Sequence, residues 1–158
     1  MREFHGTASC TVTSSAQDVF DTITDVERLP SWNAAIAEVL AGAAPLTRGS
    51  IWQVRMEPMK HLTWGSISRA VEVDRERGLF AYETRNADGN PSVTNWSWRL
   101  SEAAGGTTIE VTWDVFLRTA DRRLLGGPIR KRQLAREVPA SLERLASAVA
   151  TTTHTSAE

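Results

Sequence analysis

The residues with the greatest capacity for recognition chemistry are six tryptophans, Trp32, Trp52, Trp64, Trp96, Trp98 and Trp113, together with the only tyrosine, Tyr82. Successive side chains of a strand point to opposite faces, so residues two apart share a face. Trp52, Val54 and Met56 therefore fall together, as do Trp96, Trp98 and Leu100, and as do Ile109, Val111, Trp113 and Val115. Rings gathered in this way either fill an ordinary core or line a pocket for a flat hydrophobic molecule. Tyr82 shares a face with Phe80 and Thr84 and would carry a hydroxyl inward, and Ser66 and Ser68 share a face with Trp64.

Acid–base catalysis needs titratable groups held together inside such a pocket. The strand-borne charges Arg55, Arg69, Arg85, Arg99, Glu83 and Asp114 read mostly as a solvated outer face with cross-strand pairs. Glu72 is the exception, because strict alternation places it with Trp64, although a single bulge would reverse it. His5 opens the first strand, His61 follows Pro58 at a junction, and His154 is near the C-terminus, so no histidine falls clearly inward. No catalytic residue is assigned on these grounds. Metal ligation is not expected, since paired His or Cys spacings are missing, and no glycine-rich phosphate cradle follows a strand. No cofactor is expected.

These residues must be positioned by the elements around them. Ser14 and Gln17 have capping-box spacing at the start of a helix bearing Val19, Phe20 and Ile23. Leu29-Pro30 ends that pattern, and Trp32 with Ile36 restarts an apolar face as a second short helix. Period-two segments follow, giving strands near residues 2–13, 38–43, 50–57, 62–74, 79–85, 93–102 and 107–117, separated by turn chemistry such as Asp88-Gly89-Asn90-Pro91 and Gly105-Gly106. No crossover helices separate the later strands, so the sheet is antiparallel. From Arg118 to about Ala150 the chain is helical, with Leu134, Val138, Leu142, Leu145 and Val149 in one stripe, interrupted early by Gly126-Gly127-Pro128 and kinked by Pro139. One helix is too narrow to cover a strongly curved sheet, which leaves room for a cavity between them.

In this order of elements the chain resembles the helix-grip superfamily of polyketide cyclases and dehydratases, plant pathogenesis-related ligand carriers, steroidogenic lipid-transfer (START-like) domains and coenzyme Q-binding proteins. The resemblance rests on SSAQDVFDTITDVERLPSW at 14–32, VEVDRERGLFAYET at 71–84 and WSWRLSEAAGGTTIEVTW at 96–113. It implies an α+β helix-grip fold: a seven-stranded antiparallel sheet wrapped around a long C-terminal helix, with two short helices after the first strand. It also implies a cavity whose cyclase members polarise a polyketide carbonyl with an arginine, tyrosine or serine. The expected binding set is Trp32, Trp52, Val54, Met56, Trp64, Tyr82, Trp96, Trp98, Trp113, Leu134 and Val138. The expected function is binding of a polyketide-, lipid- or steroid-like molecule, with cyclase or dehydratase activity as the alternative.

A chain of 158 residues is expected to form one domain over 1–150, followed by a small, polar, flexible tail over 151–158. Eighteen basic against nineteen acidic residues give a formal charge of −1, which supplies no global field for nucleic acid or anionic lipid. The basic segment Arg118–Glu137 reads either as a solvated face or as a dock for an acidic protein at Arg130, Lys131 and Arg132. The single cysteine, Cys10, cannot form an internal disulfide, and the start MREFHG has no signal-peptide character, so a cytoplasmic location is expected with no stable membrane insertion.

Overall fold

The computed structural model describes residues 3–155, with side chains described through residue 150. Strand β1 (Phe4–Val12) leads into helix α1 (Ala16–Ile23), a short 3-10 turn (Val26–Arg28) and helix α2 (Leu29–Trp32). Strands β2 (Ile36–Ala41), β3 (Ile51–Met59), β4 (Leu62–Asp74), β5 (Leu79–Asn86), β6 (Val93–Ala103) and β7 (Gly106–Phe116) follow. A π turn (Arg122–Gly126) then opens onto helix α3 (Gly127–Thr155). The sheet is entirely antiparallel, in the order β1-β7-β6-β5-β4-β3-β2. The first strand thus pairs with the last, while α1 and α2 carry the chain across to the opposite edge.

The concave face of this sheet holds α3. Leu134, Val138, Leu142, Leu145 and Val149 are all buried, as the helical stripe requires, and they meet Val12, Ile109, Val111 and Val115 in one core. Helix α1 adds Val19, Phe20 and Ile23 to that core. Ser141 on α3 accepts a 2.9 Å bond from the Ala34 amide, which fixes the exit of α2 against the long helix. Thr107 donates a 2.8 Å bond to the Ser14 carbonyl and ties β7 to the approach of α1. Gly6 lies opposite Trp113, and a Cβ there would fall 2.1 Å from the indole, so the ring packs across the edge strand only because the position is glycine.

Several boundaries depart from the sequence expectations, each for a local reason. The cap of α1 is Ser15, whose Oγ accepts from the Asp18 amide at 3.1 Å, one residue later than the Ser14–Gln17 pairing. Trp32 closes α2 and Ile36 opens β2, so the i, i+4 relation between them does not mark a helix; the backbone turns extended at Asn33. The pairing of β4 with β5 slips between Ala70 and Glu72, and this bulge turns Val73 inward opposite Phe80 and carries Glu72 to the outer face. Helix α3 continues through Pro139 and reaches Thr155, beyond the expected end near Ala150; residues 156–158 of the expected tail lie outside the described residues.

Truncation after Arg136 removes Val138, Leu142, Leu145 and Val149, each worth about 1.5–3 kcal/mol when fully buried. The shortened chain is expected to lose its near-ultraviolet circular dichroism and its cooperative thermal transition. A native-like melt would show that the sheet does not depend on α3.

Candidate functional site

Between the concave sheet face, α2 and α3 lies a narrow chamber of about 60 Å³. Its aromatic wall is contributed strand by strand: Trp52 from β3, Phe80 and Tyr82 from β5, and Trp96 and Trp98 from β6. These rings touch in sequence. Centroids are 5.2 Å apart for Trp52 and Tyr82, 5.0 Å for Phe80 and Tyr82, and 6.2 Å for Tyr82 and Trp96. Trp32 from α2 meets Trp98 edge-on at 5.6 Å. Offset and edge contacts of this kind are the favoured geometries of aromatic pairs, so each ring of the wall supports the next. Ser68 and Thr84 share a 2.7 Å hydroxyl bond in the same wall.

A second, larger space of about 360 Å³ adjoins the chamber and opens toward solvent. Ser66, Thr84 and Arg130 border both spaces. This mouth is more polar, with Asn86, Asn90, Ser92, Thr94 and Gln133 around Trp64. The chamber alone is far below the roughly 300–1,000 Å³ of ordinary small-molecule sites, whereas the mouth reaches that range.

Of the expected binding residues, Trp32, Trp52, Val54, Met56, Tyr82, Trp96, Trp98 and Val138 border the chamber. Three do not. Trp64 lines the mouth. Trp113 lies behind Trp96, 5.9 Å away, and packs over Gly6, so the sheet's width places it in the adjoining core. Leu134 is fully buried in the helix–sheet core.

The sequence reading missed Arg130, Gln133 and Glu137, which are spaced along one side of α3 at the wall between chamber and mouth. Arg130 was expected either on a solvated face or in a dock for an acidic protein; instead its side chain is 23% exposed and lies 3.8 Å from Glu137, which is 10% exposed. Its guanidinium stands 5.9 Å above the Trp64 ring. The signal was present: stepping back by four from Leu134 along the apolar stripe lands on Arg130, and stepping forward by three lands on Glu137.

Burial sets the proton affinities of this cluster. Desolvation raises the Glu137 carboxyl above its ordinary range, with the Arg130 charge and the Gln133 amide pulling the other way. Desolvation likewise lowers Arg130, against the attraction of Glu137. Tyr82 is pushed up to about 12, chiefly by burial, with the Trp98 indole N–H opposing and the Glu137 charge reinforcing the shift.

Five buried side-chain atoms here make no well-formed hydrogen bond among the described residues: Trp32 Nε1, Trp98 Nε1, Arg130 Nη1, Gln133 Nε2 and Glu137 Oε2. The 3.8 Å Arg130–Glu137 pair and the approaches of Gln133 to Glu137 and of Trp98 to Tyr82 are too long or too poorly aligned to satisfy them. Four are donors and one is an acceptor. Leaving such groups unpaired costs about 1–3 kcal/mol each, more for a charge, so the cavity presents a surplus of donors to whatever enters it. Among the described residues no cluster of His, Cys, Asp and Glu could hold a metal, and no helix is long and apolar enough to cross a membrane.

A family model described as polyketide cyclase/dehydrase and lipid transport matches residues 3–150. No curated protein sequence matches the chain. Among solved structures, the ZhuI aromatase/cyclase of Streptomyces sp. R1128 aligns with TM-score 0.76 at 17% identity, covering 92% of this chain and 93% of that one. Norcoclaurine synthase of Thalictrum flavum, in complex with a transition-state analogue, aligns with TM-score 0.69 at 13% identity over 95% and 96% of the two chains. Protein CV1439 of Chromobacterium violaceum aligns with TM-score 0.70 at 15% identity over 92% and 96%. At these identities the likeness shows the helix-grip fold, as the sequence resemblance implied.

Two consequences can be measured. Arg130→Met leaves Glu137 buried without its counter-charge and is expected to cost about 3 kcal/mol, whereas Arg130→Met with Glu137→Leu should be near neutral or more stable than the parent. Chemical denaturation of the single and double variants checks this. Because Tyr82 is the only tyrosine, ultraviolet difference titration reports it alone. Its folded pKa lies above the unfolded value, so its contribution is fully present below about pH 10 and disappears as pH rises toward about 12. The phenolate signal should therefore appear only near that upper value, or abruptly with unfolding.

Proposed function

Because the chain belongs to the polyketide cyclase/dehydrase and lipid transport family, we propose that it binds a hydrophobic, carbonyl-bearing small molecule across the chamber and mouth. The observation that carries this reading is the donor surplus. Trp32 Nε1, Trp98 Nε1, Arg130 Nη1 and Gln133 Nε2 are buried without a well-formed hydrogen bond, the last three having only loose contacts with Tyr82 and Glu137, and a ligand with several carbonyl or phenolic oxygens would satisfy them. A hydrocarbon of the same shape would leave them unpaired. The aromatic wall of Trp52, Phe80, Tyr82, Trp96 and Trp98 suits a flat ring system, and the mouth supplies the volume that the chamber lacks.

A second reading, cyclase or dehydratase activity, is favoured by the specific placement of Arg130, Glu137 and Tyr82 around one chamber. Arg130 would hold a ketone oxygen while Glu137, made more basic by burial, takes a proton from the adjacent carbon. The enolate oxygen would remain on Arg130, and its carbon would form a C–C bond to a second carbonyl carbon. Glu137 would return that proton to the new alkoxide, giving a β-hydroxyketone. It would then take the second proton from the same α-carbon and deliver it to the hydroxyl, which departs as water and leaves a conjugated C=C bond. Binding alone needs the donors; turnover needs Glu137 as well.

Tryptophan fluorescence titration with polycyclic aromatic ketones and their parent hydrocarbons tests the binding reading. The ketones are expected to bind roughly tenfold or more tightly, as hydrogen bonds to charged or buried donors require. Trp98→Ala should weaken ketone binding by at least tenfold, while Arg99→Ala, on the opposite strand face, should leave it within about twofold. Equal affinity for ketone and hydrocarbon, or greater damage from Arg99→Ala, would remove the basis for the site. Turnover of a linear poly-β-ketone that is abolished by Glu137→Gln with binding retained would select the enzymatic reading.

A further inference from the structure

The described exposed hydrophobic side chains are not scattered evenly. Leu124, Leu125 and Ile129 are 78%, 74% and 67% exposed, and they sit on the π turn and the first turn of α3, beside the mouth. Met59 and Leu62, 60% and 45% exposed, flank the β3–β4 turn across from them. Ile129 and Leu62 line the mouth, and with Met59 they also line an adjoining open groove of about 420 Å³. Two apolar tips thus stand on either side of the cavity entrance.

The leucines are held in this exposed position by the residues beside them. Arg122 bonds Asp88 at 3.0 Å, and Arg123 bonds the Leu117 carbonyl at 3.0 Å and pairs with Glu3 at 3.2 Å. These contacts anchor the π turn and occupy Asp88 and Glu3, while the exposed Asp121 at the start of the turn is offset by the adjacent Arg122. Behind the tips, Lys60, Arg132 and Arg136 are exposed and make no ion pair among the described residues, while Glu137 faces inward toward Arg130. The result is a local cationic rim around apolar tips on a chain whose net charge is only −1.

We propose that this end of the molecule docks reversibly on an anionic lipid surface, with Leu124, Leu125 and Ile129, opposed by Met59 and Leu62, entering the interfacial layer and Lys60, Arg132 and Arg136 meeting headgroup phosphates. Apolar side chains backed by basic ones are the combination that such surfaces retain, and neither component suffices alone. Docking in this orientation turns the mouth toward the membrane, so a hydrophobic ligand passes between bilayer and cavity without crossing water. This inference concerns the outer rim and does not depend on which ligand the chamber prefers.

Co-sedimentation with vesicles tests it. The full chain is expected to bind phosphatidylglycerol/phosphatidylcholine vesicles, to bind pure phosphatidylcholine vesicles far more weakly, and to be released by salt. Arg132→Gln with Arg136→Gln should weaken partitioning about 25-fold, at about fivefold for each basic side chain near the surface. Leu124→Ser with Leu125→Ser should weaken it roughly tenfold or more. Both variants should keep the fluorescence response to ketones, which shows that the fold survives and separates this test from that of the cavity. No binding to anionic vesicles, or full binding by the leucine variant, would overturn the proposal. So would sedimentation velocity showing that the leucines instead hold a dimer that the leucine variant dissociates.

Discussion

One α-helix is about 10–12 Å across, while seven strands at about 4.8 Å spacing span roughly 29 Å. This difference in width governs the architecture. Helix α3 packs its C-terminal half, through Leu142, Leu145 and Val149, tightly against the sheet with the help of α1. Toward its N-terminal half the support changes to the short α2, and the space that remains becomes chamber and mouth. Large rings reduce that space, and Trp52, Phe80, Tyr82, Trp96 and Trp98 bring the chamber down to about 60 Å³. The aromatic content is therefore a means of shaping a curved, incompletely covered sheet as well as a recognition surface.

The polar groups follow from the same geometry. Where α3 leaves the sheet, apolar side chains would face partly wet space, and the helix places Arg130, Gln133 and Glu137 there instead. A buried ion pair adds little net stability, because desolvation offsets its attraction. Its retention at the meeting point of two compartments is better explained by what it offers a bound molecule. Arg130 supplies a donor, Glu137 an acceptor of raised proton affinity, and Tyr82 a hydroxyl that stays protonated far above neutral pH.

Much of this was readable in the sequence. Alternation in β3, β6 and β7 placed Trp52, Trp98 and Trp113 inward, and the spacing of Leu134 through Val149 located the buried face of α3. What escaped were features that depend on a third dimension. Trp113 points inward yet is screened from the chamber by Trp96, a matter of lateral position within the sheet. Glu72 was displaced by one unpaired residue in β4. Ile36 stands four residues after Trp32, but the chain changes conformation between them. Arg130 was counted with its basic neighbours Lys131 and Arg132 by composition, although the helical period separates them by about 100° per residue. The volume of the chamber depends on the depth of interlocking rings, which no pattern of residue types encodes.

The pairing of β1 with β7 has a consequence for how the chain reaches this state. Phe4 stands opposite Val115 and Val12 opposite Thr107, so β1 has no complete partner strand until about two-thirds of the chain has followed it. Strands β3 to β7 can close as successive hairpins, each with a short loop, whereas joining β1 closes a loop of about a hundred residues. Such closure is entropically costly and slow. During synthesis Phe4–Val12 therefore waits as an unpaired edge, and the hairpins offer a second unpaired edge at β7. Of all the seams in the sheet this one joins the residues farthest apart in the chain, so it costs the most chain entropy to close and, until it closes, leaves two strand edges open to wrong partners.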